Sequence, residues 1–273
     1  MNERPGQELA LVVGAGGLGM AIAGRLGASY RLLLADRDGD HLHRQVTAMQ
    51  AEGHDIHGVV CDVTEAEAVA RMASAAAESG PAKAVVHVVG LFPSMADGPA
   101  ILRTNLVGPA LVADAFGPTA GVGMVAVFIA SLGGHLVEVS SPVMSALSDP
   151  LAPRFIDQVV AALDAELTPE LAYQLSKAAL IRLCQRRAPA WGRRGARILS
   201  LSPGLIATPS GAAETEAQPE KRRLAQLIPM GREGTMVEVA DVVEFLVSDR
   251  ASYITGTDVL VDGGVAAAVK FGD

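Results

Sequence analysis

Leu9 to Val13 form an unbroken apolar run that ends on a glycine, and a longer stretch follows in which apolar positions return every third or fourth residue. An uninterrupted run of strand length reads as a strand buried on both faces, and the longer periodic stretch reads as an amphipathic helix. The same pairing recurs along the chain. Strands are predicted at 9–13, 31–35, 56–61, 84–89, 122–130, 197–201 and 258–261, and helices at 17–28, 39–51, 64–78, 99–116, 169–191 and 237–248. Thr64, with Glu67 three positions later, is expected to cap the third helix. Gly108 and Pro109 inside the fourth predict a kink or break. Alternating strands and helices specify a doubly wound α/β domain, a seven-stranded parallel sheet with helices on both faces.

Composition narrows the partners. With 273 residues and half of them hydrophobic, one domain can bury a substantial core. There are 22 Lys and Arg against 30 Asp and Glu, a net charge of -8, and no basic cluster, so nucleic acid is not an expected partner. Cys61 and Cys184 are too few for a disulfide framework and fit small buried hydrophobes in a reducing compartment. The first residues lack a secretory pattern, and no apolar stretch reaches the roughly 20 residues that a membrane helix needs. The expectation is a cytoplasmic protein without a membrane partner. His41 with His43, and His54 with His57, are joined by no cysteine or carboxylate cluster, so no metal site is expected.

Gly14-Ala15-Gly16-Gly17-Leu18-Gly19 directly follows the first strand and opens a helix. Free backbone N–H groups and the helix dipole favour a pyrophosphate there, and glycines allow close approach. Asp36 falls 17 residues after Gly19 (36 − 19), at the end of the second strand, where a carboxylate can accept from both adenosine ribose hydroxyls. Its charge opposes a 2′-phosphate, which selects NAD(H) over NADP(H). Arg37 could hold that phosphate if it turned inward; its plainer reading is a solvated surface residue. Asp62 and Val63 follow the third strand and are expected to flank adenine, with Asp62 on the ring's amino group or simply beginning the next helix.

Tyr173 and Lys177 are four residues apart on a predicted helix and so share one face. Ser131 ends the fifth strand at the sheet's carboxyl edge, and Asn105 lies on the preceding helix. A cation at ~4 Å and an effective dielectric of ~20 is worth ~4 kcal/mol, about three pKa units, enough to bring a phenol from about 10 into working range.

The chain resembles the short-chain dehydrogenase/reductase family, of the classical type, over nearly its whole length. The resemblance rests on the Gly14–Gly19 turn, Asp36, Asp62, Thr104-Asn105-Leu106, Ser131, Tyr173-Gln174-Leu175-Ser176-Lys177, Ser202-Pro203-Gly204 and Asp262-Gly263-Gly264. It implies a single-domain Rossmann fold and hydride transfer between NAD(H) and a secondary alcohol or ketone. Tyr173 would be the acid/base and Ser131 would orient the substrate oxygen. Lys177 would lower the phenol and bind the nicotinamide ribose, and Asn105 would hold a proton-relaying water. Gly14, Gly16, Gly17, Leu18, Gly19, Asp36, Arg37, Asp62, Val63, Gly90, Tyr173, Lys177, Pro203, Gly204, Ile206 and Thr208 would line the cofactor.

Several departures from the family pattern stand out. His87-Val88-Val89-Gly90 replaces the usual Asn-Ala-Gly turn, and His87 is expected to be satisfied or partly buried. Val13 stands where a Thr is common. Tyr173 lies 42 positions after Ser131 (173 − 131), which makes 136–168 an insert, read as a loop and then a helix over 154–167, placed over or beside the substrate entrance or at a subunit contact. A similar insert marks the 3α-hydroxysteroid dehydrogenase/carbonyl reductase members, which implies a hydroxysteroid or other bulky apolar carbonyl. The family also implies a homodimer or homotetramer. Ser140-Ser141 competes with Ser131 for the catalytic place, and 209–226 reads as a lid. A non-catalytic NAD(H)-sensing protein is the rival reading; such proteins typically lose the tyrosine or lysine that this chain keeps.

Overall fold

In β1 (Leu9–Val13), Leu9, Leu11 and Val13 belong to one apolar layer, while Ala10 and Val12 belong to the other. A strand's side chains alternate between faces, so this split requires cover on both sides of the sheet. The computed structural model, which describes residues 7–207 and 219–272, supplies that cover. Seven strands pair in parallel in the order β3-β2-β1-β4-β5-β6-β7. The others are β2 (Arg31–Asp36), β3 (Ile56–Val60), β4 (Ala82–His87), β5 (Val125–Ile129), β6 (Arg197–Pro203) and β7 (Asp258–Val261). This is the doubly wound Rossmann architecture that the alternation predicts.

Helices α1 (Gly17–Leu26) and α2 (Gly39–Ala51) lie on one face, packing through Ile22, Leu42 and Val46. The other face carries α3 (Ala66–Glu78) and an interrupted helix comprising α4 (Gly98–Leu102), a π-helical turn (Arg103–Val107) and α5 (Gly108–Phe116). The expected break is therefore a π turn placed just before Pro109, whose missing N–H cannot serve a regular ladder. The chain continues with α6 (Ser141–Ala146), α7 (Phe155–Ala162), α8 (Pro169–Gly192), α9 (Pro219–Gln226), α10 (Met236–Val247) and α11 (Val265–Phe271). α8 packs on the same face as α3, and α10 on the face of α1.

Four local expectations need correction. Thr64 does not cap α3: its N–H and hydroxyl are taken by Asp62, and the helix begins after Glu65. β5 starts at Val125, because Val122 is 94% exposed and Gly123 turns the chain at φ +82°. β4 ends at His87, since Val88 and Val89 both donate to the single carbonyl of Val13 and so leave the ladder. The last helix, α11, was not anticipated. Asp262 creates it, accepting from Gly264 and Ala266 N–H at 2.9 and 2.8 Å after a turn through positive-φ Gly263 and Gly264.

The insert is two short helices, where one longer helix was expected. Pro142 opens α6 and so does not interrupt a helix, and α7 stops at Ala162, where Leu163 turns extended. Val143, Leu147, Phe155 and Val159 are buried in the α8-side core, which makes the insert part of the domain's packing. Arg186 of α8 donates to Ser148 just beyond α6. At 1.5 Å per residue that contact lies about 20 Å along α8 from Tyr173, so α6 braces the helix well away from the phenol. Closer to Ser131, His135 meets Asp258 of β7 at 2.8 Å and pins the chain as it enters the insert. Among the described residues, no helix is long and apolar enough to cross a membrane.

Candidate active site

The strand order reverses between β1 and β4, and the crevice at the carboxyl ends of such strands is where open α/β sheets hold ligands. Ser131 stands at this edge, two residues after β5, in extended backbone, and its hydroxyl accepts from Gly133 N–H at 3.2 Å. Tyr173, in the first turns of α8, stands beside Ser131: a Cβ on Gly133 would lie 3.3 Å from the Tyr173 ring and 3.7 Å from Ser131 Oγ. Ser140 and Ser141, by contrast, are exposed at the start of α6. Lys177 follows one turn after Tyr173 and is buried; its Nζ donates to the Ile129 carbonyl at 3.0 Å and lies 5.8 Å from the Tyr173 ring centre.

The electrostatics differ from the expected lowering of the phenol. Burial raises Tyr173 above its ordinary 10, and the neighbouring Ser131 hydroxyl offsets part of that rise. Burial also brings Lys177 down to about 8. Each group is desolvated, which disfavours charge on both, and the ammonium is directed to a backbone carbonyl.

Asn105 is wholly buried on the π turn, with its Oδ1 accepting from Leu91 N–H at 2.7 Å and its Nδ2 donating to Leu91 C=O at 2.9 Å. The side chain thus grips the backbone of one residue by both its N–H and its C=O. It anchors the segment after β4. Gly90 lies between this anchor and Lys177: a Cβ there would stand 3.5 Å from Asn105 Oδ1 and 3.4 Å from Lys177 Nζ.

His87 departs furthest from expectation. It is fully buried, stacked on Phe128 at 5.6 Å, and neither ring nitrogen has a hydrogen-bond partner. Burial, reinforced by the Lys177 charge, drives its pKa down to about 3, so the ring is neutral.

The glycine turn meets the requirements of a dinucleotide. Gly14 has φ +113°, and a Cβ on Gly19 would overlap the Gly14 carbonyl oxygen, so both positions demand glycine for the backbone path itself. Gly16 is different: it is exposed, caps α1 without any side-chain hydrogen bond, and a Cβ there would meet nothing within 4 Å. Open space before a free helix N-terminus suits an anionic ligand. Gly17 packs against Met236 at the start of α10, and Leu18 is partly buried.

Asp36 carries a carboxylate already held in place, with Oδ2 accepting from Ala15 N–H at 2.8 Å and Oδ1 from Asp38 N–H at 3.0 Å. At the same residue, His41 Nε2 lies 2.9 Å from the Ala15 carbonyl, which can only accept, so the ring donates. By its spacing His41 reads only as half of a metal pair; its neighbour in the fold is 26 positions away, and nothing in the local pattern marks it. Arg37, Asp38, Asp62, Glu65 and Arg71 line a surface groove beside Asp36. Asp62 also accepts from Thr64, so it does begin the turn into α3. Val63 points into the core, where a Cβ on Gly108 would press within 2.8 Å of it, and so offers adenine no side-chain contact.

Pro203 ends β6, Gly204 packs on Asp262, and Ile206 bridges to Gly234 in parallel. Thr208 and most of the 209–226 segment lie outside the described residues. Among the described residues, no three His, Cys, Asp or Glu gather as a metal site.

A glycine turn opening α1, an acid ending β2 and a Ser–Tyr–Lys set on the same sheet edge define a nicotinamide-dinucleotide-dependent oxidoreductase. The family model for short chain dehydrogenase matches residues 8–146, and one described as enoyl-(acyl carrier protein) reductase matches 158–266. A short-chain dehydrogenase/reductase of Alternaria brassicicola is 34% identical over 270 residues, spanning 96% of each chain. The 3-alpha-hydroxysteroid dehydrogenase/carbonyl reductase of Comamonas testosteroni is 30% identical over 243 residues, spanning 81% of this chain and 91% of its own. The solved structure of gox2181 superposes with a TM-score of 0.77 at 27% identity over 96% of both chains. The chain belongs to the short-chain dehydrogenase/reductase family.

Proposed function

We propose that the protein transfers a hydride between NAD(H) and a secondary alcohol or ketone carried on a bulky apolar body. The observation that carries this reading is Tyr173 standing beside Ser131 with Lys177 one helical turn behind it, at the same sheet edge as the glycine turn.

In carbonyl reduction, Ser131 and Tyr173 present hydroxyl groups to the substrate oxygen, and Tyr173 gives up its proton as charge develops there. A phenol raised by burial holds that proton firmly until an oxyanion forms to receive it. Lys177, at about 8, changes charge near neutral pH and so can both supply a positive field and restore the proton. Asn105 keeps the loop after β4 in place through Leu91. A bound nicotinamide supplies the hydride donor or acceptor.

The Gly14–Gly19 turn would hold the pyrophosphate, and Asp36 the adenosine ribose. NAD(H) is favoured because Asp36 is fixed by two hydrogen bonds and cannot swing aside for a 2′-phosphate without breaking both. In the adjoining groove, Asp38, Asp62, Glu65 and Glu67 outnumber Arg37 and Arg71, which also repels a phosphate dianion. The bulky apolar substrate is supported by the likeness to the Comamonas enzyme. Oxidation of NADH and of NADPH against a panel of steroid, acyl and small aromatic ketones tests the whole reading. Turnover with NADPH alone would remove the role given to Asp36, and no turnover across the panel would favour an NAD(H)-sensing protein.

A further inference from the structure

Phe92 follows directly after Leu91, whose backbone Asn105 grips, and its ring stacks on that of Tyr173 with centres 5.8 Å apart and planes 26° from parallel. Phe92 as a residue is nevertheless 51% exposed, and Met95 beside it is 57% exposed. Two large apolar side chains held in solvent against the proton-donating residue are costly unless something covers them. Their placement is built in. Besides the Asn105 clamp, Met95 N–H donates to the Phe92 carbonyl at 2.9 Å, and Phe92 N–H approaches Met95 Sδ at 3.4 Å, closing a tight turn.

We infer that Phe92, with Met95 at its side, is the specificity-determining ledge of the site, receiving the flat apolar ring system that carries the substrate carbonyl. The inference rests on the reaction proposed above and sharpens its substrate class. A ring lying on Phe92 brings its carbonyl toward the Tyr173 and Ser131 hydroxyls, because the ledge and the phenol are stacked neighbours. A compact, non-planar ketone reaches the same hydroxyls but gains little from the ledge. Offset ring stacking accounts for the preference, and Met95 adds an adaptable thioether edge. Asn105 enters as a positioning residue, acting through Leu91 to present the ring.

The test compares wild type, Phe92→Ala and Phe92→Tyr on 1-tetralone, a fused aromatic ketone, and on cyclohexanone, with folding checked by thermal melting. Phe92→Ala is expected to raise KM for 1-tetralone about tenfold at nearly unchanged kcat, to leave cyclohexanone kinetics within about twofold, and to be rescued by Phe92→Tyr. Equal losses on both ketones, no loss on either, or failure of Phe92→Tyr to restore the tetralone KM overturns the ledge while the reaction assignment stands. A wild-type protein inert toward both ketones with either cofactor overturns the reaction assignment, and the ledge with it.

Discussion

Lys177 Nζ donates to the carbonyl oxygen of Ile129 across 3.0 Å, joining α8 to the last residue of β5. Ser131 is two residues beyond that carbonyl and Tyr173 one helical turn before that lysine. The single bond therefore fixes how the helix bearing the phenol lies on the strand end bearing the serine, across a gap of 48 positions in the chain.

Tyr173→Phe keeps the ring stack with Phe92 and removes only the hydroxyl. Turnover is expected to fall by about a hundredfold or more, the usual range for loss of a general acid. NADH affinity, followed by fluorescence titration, should change less than about twofold. Undiminished turnover would end the catalytic assignment.

The lowered pKa of Lys177 has a consequence for stability. The folded protein releases this proton near pH 8, the unfolded chain near 10.5. Below pH 8 both states hold it, and the fold bears the full cost of burying an ammonium; between 8 and 10.5 that cost is relieved. Relative to Lys177→Met, wild-type unfolding free energy should thus rise by about 3 kcal/mol over this window. Urea melts of both proteins at pH 7.5 and 10.5 measure it, and parallel behaviour would show that the lysine is not desolvated.

His87→Leu removes a buried ring whose two nitrogens have no partner and replaces it with an apolar side chain. A gain of about 1–2 kcal/mol is expected at pH 7. The gain should grow on acidification, because the unfolded histidine takes up a proton below about 6.5 while the folded one stays neutral down to about 3. Denaturant melts between pH 7 and 4 would give a flat difference if the ring were charged in the fold.

Two glycines in one turn should respond in opposite ways. Gly16→Ala meets no neighbour, so its melting temperature should stay close to that of wild type while NADH binding weakens by about tenfold. Gly19→Ala collides with the Gly14 carbonyl and should destabilise the fold by several kcal/mol. Calorimetry with and without NADH separates the two, and unimpaired NADH binding by Gly16→Ala would place the pyrophosphate elsewhere.

Asp36→Asn preserves an oxygen for Ala15 N–H and removes the charge. The ratio of kcat/KM for NADPH over NADH is expected to rise at least about tenfold, and an unchanged ratio would mean that the carboxylate does not read the ribose.

Much of the architecture was legible in the chain because it depends on short-range periodicity. The apolar run of Leu9–Val13 can be buried only between two layers, and the run at Arg31–Asp36 repeats that logic within a residue of its observed bounds. Tyr173 and Lys177 share a helix face by spacing alone, and the glycine turn announces itself by composition. What the tertiary structure decided is where distant segments meet. Asn105 reaches Leu91, His41 reaches Ala15, and Phe92 lies on Tyr173, each through a loop path and sheet register that no local pattern encodes. Charge state belongs to the same level. His87 reads as an ordinary histidine and Lys177 as an ordinary lysine until packing strips both of water, and desolvation depends on everything that folds around a residue.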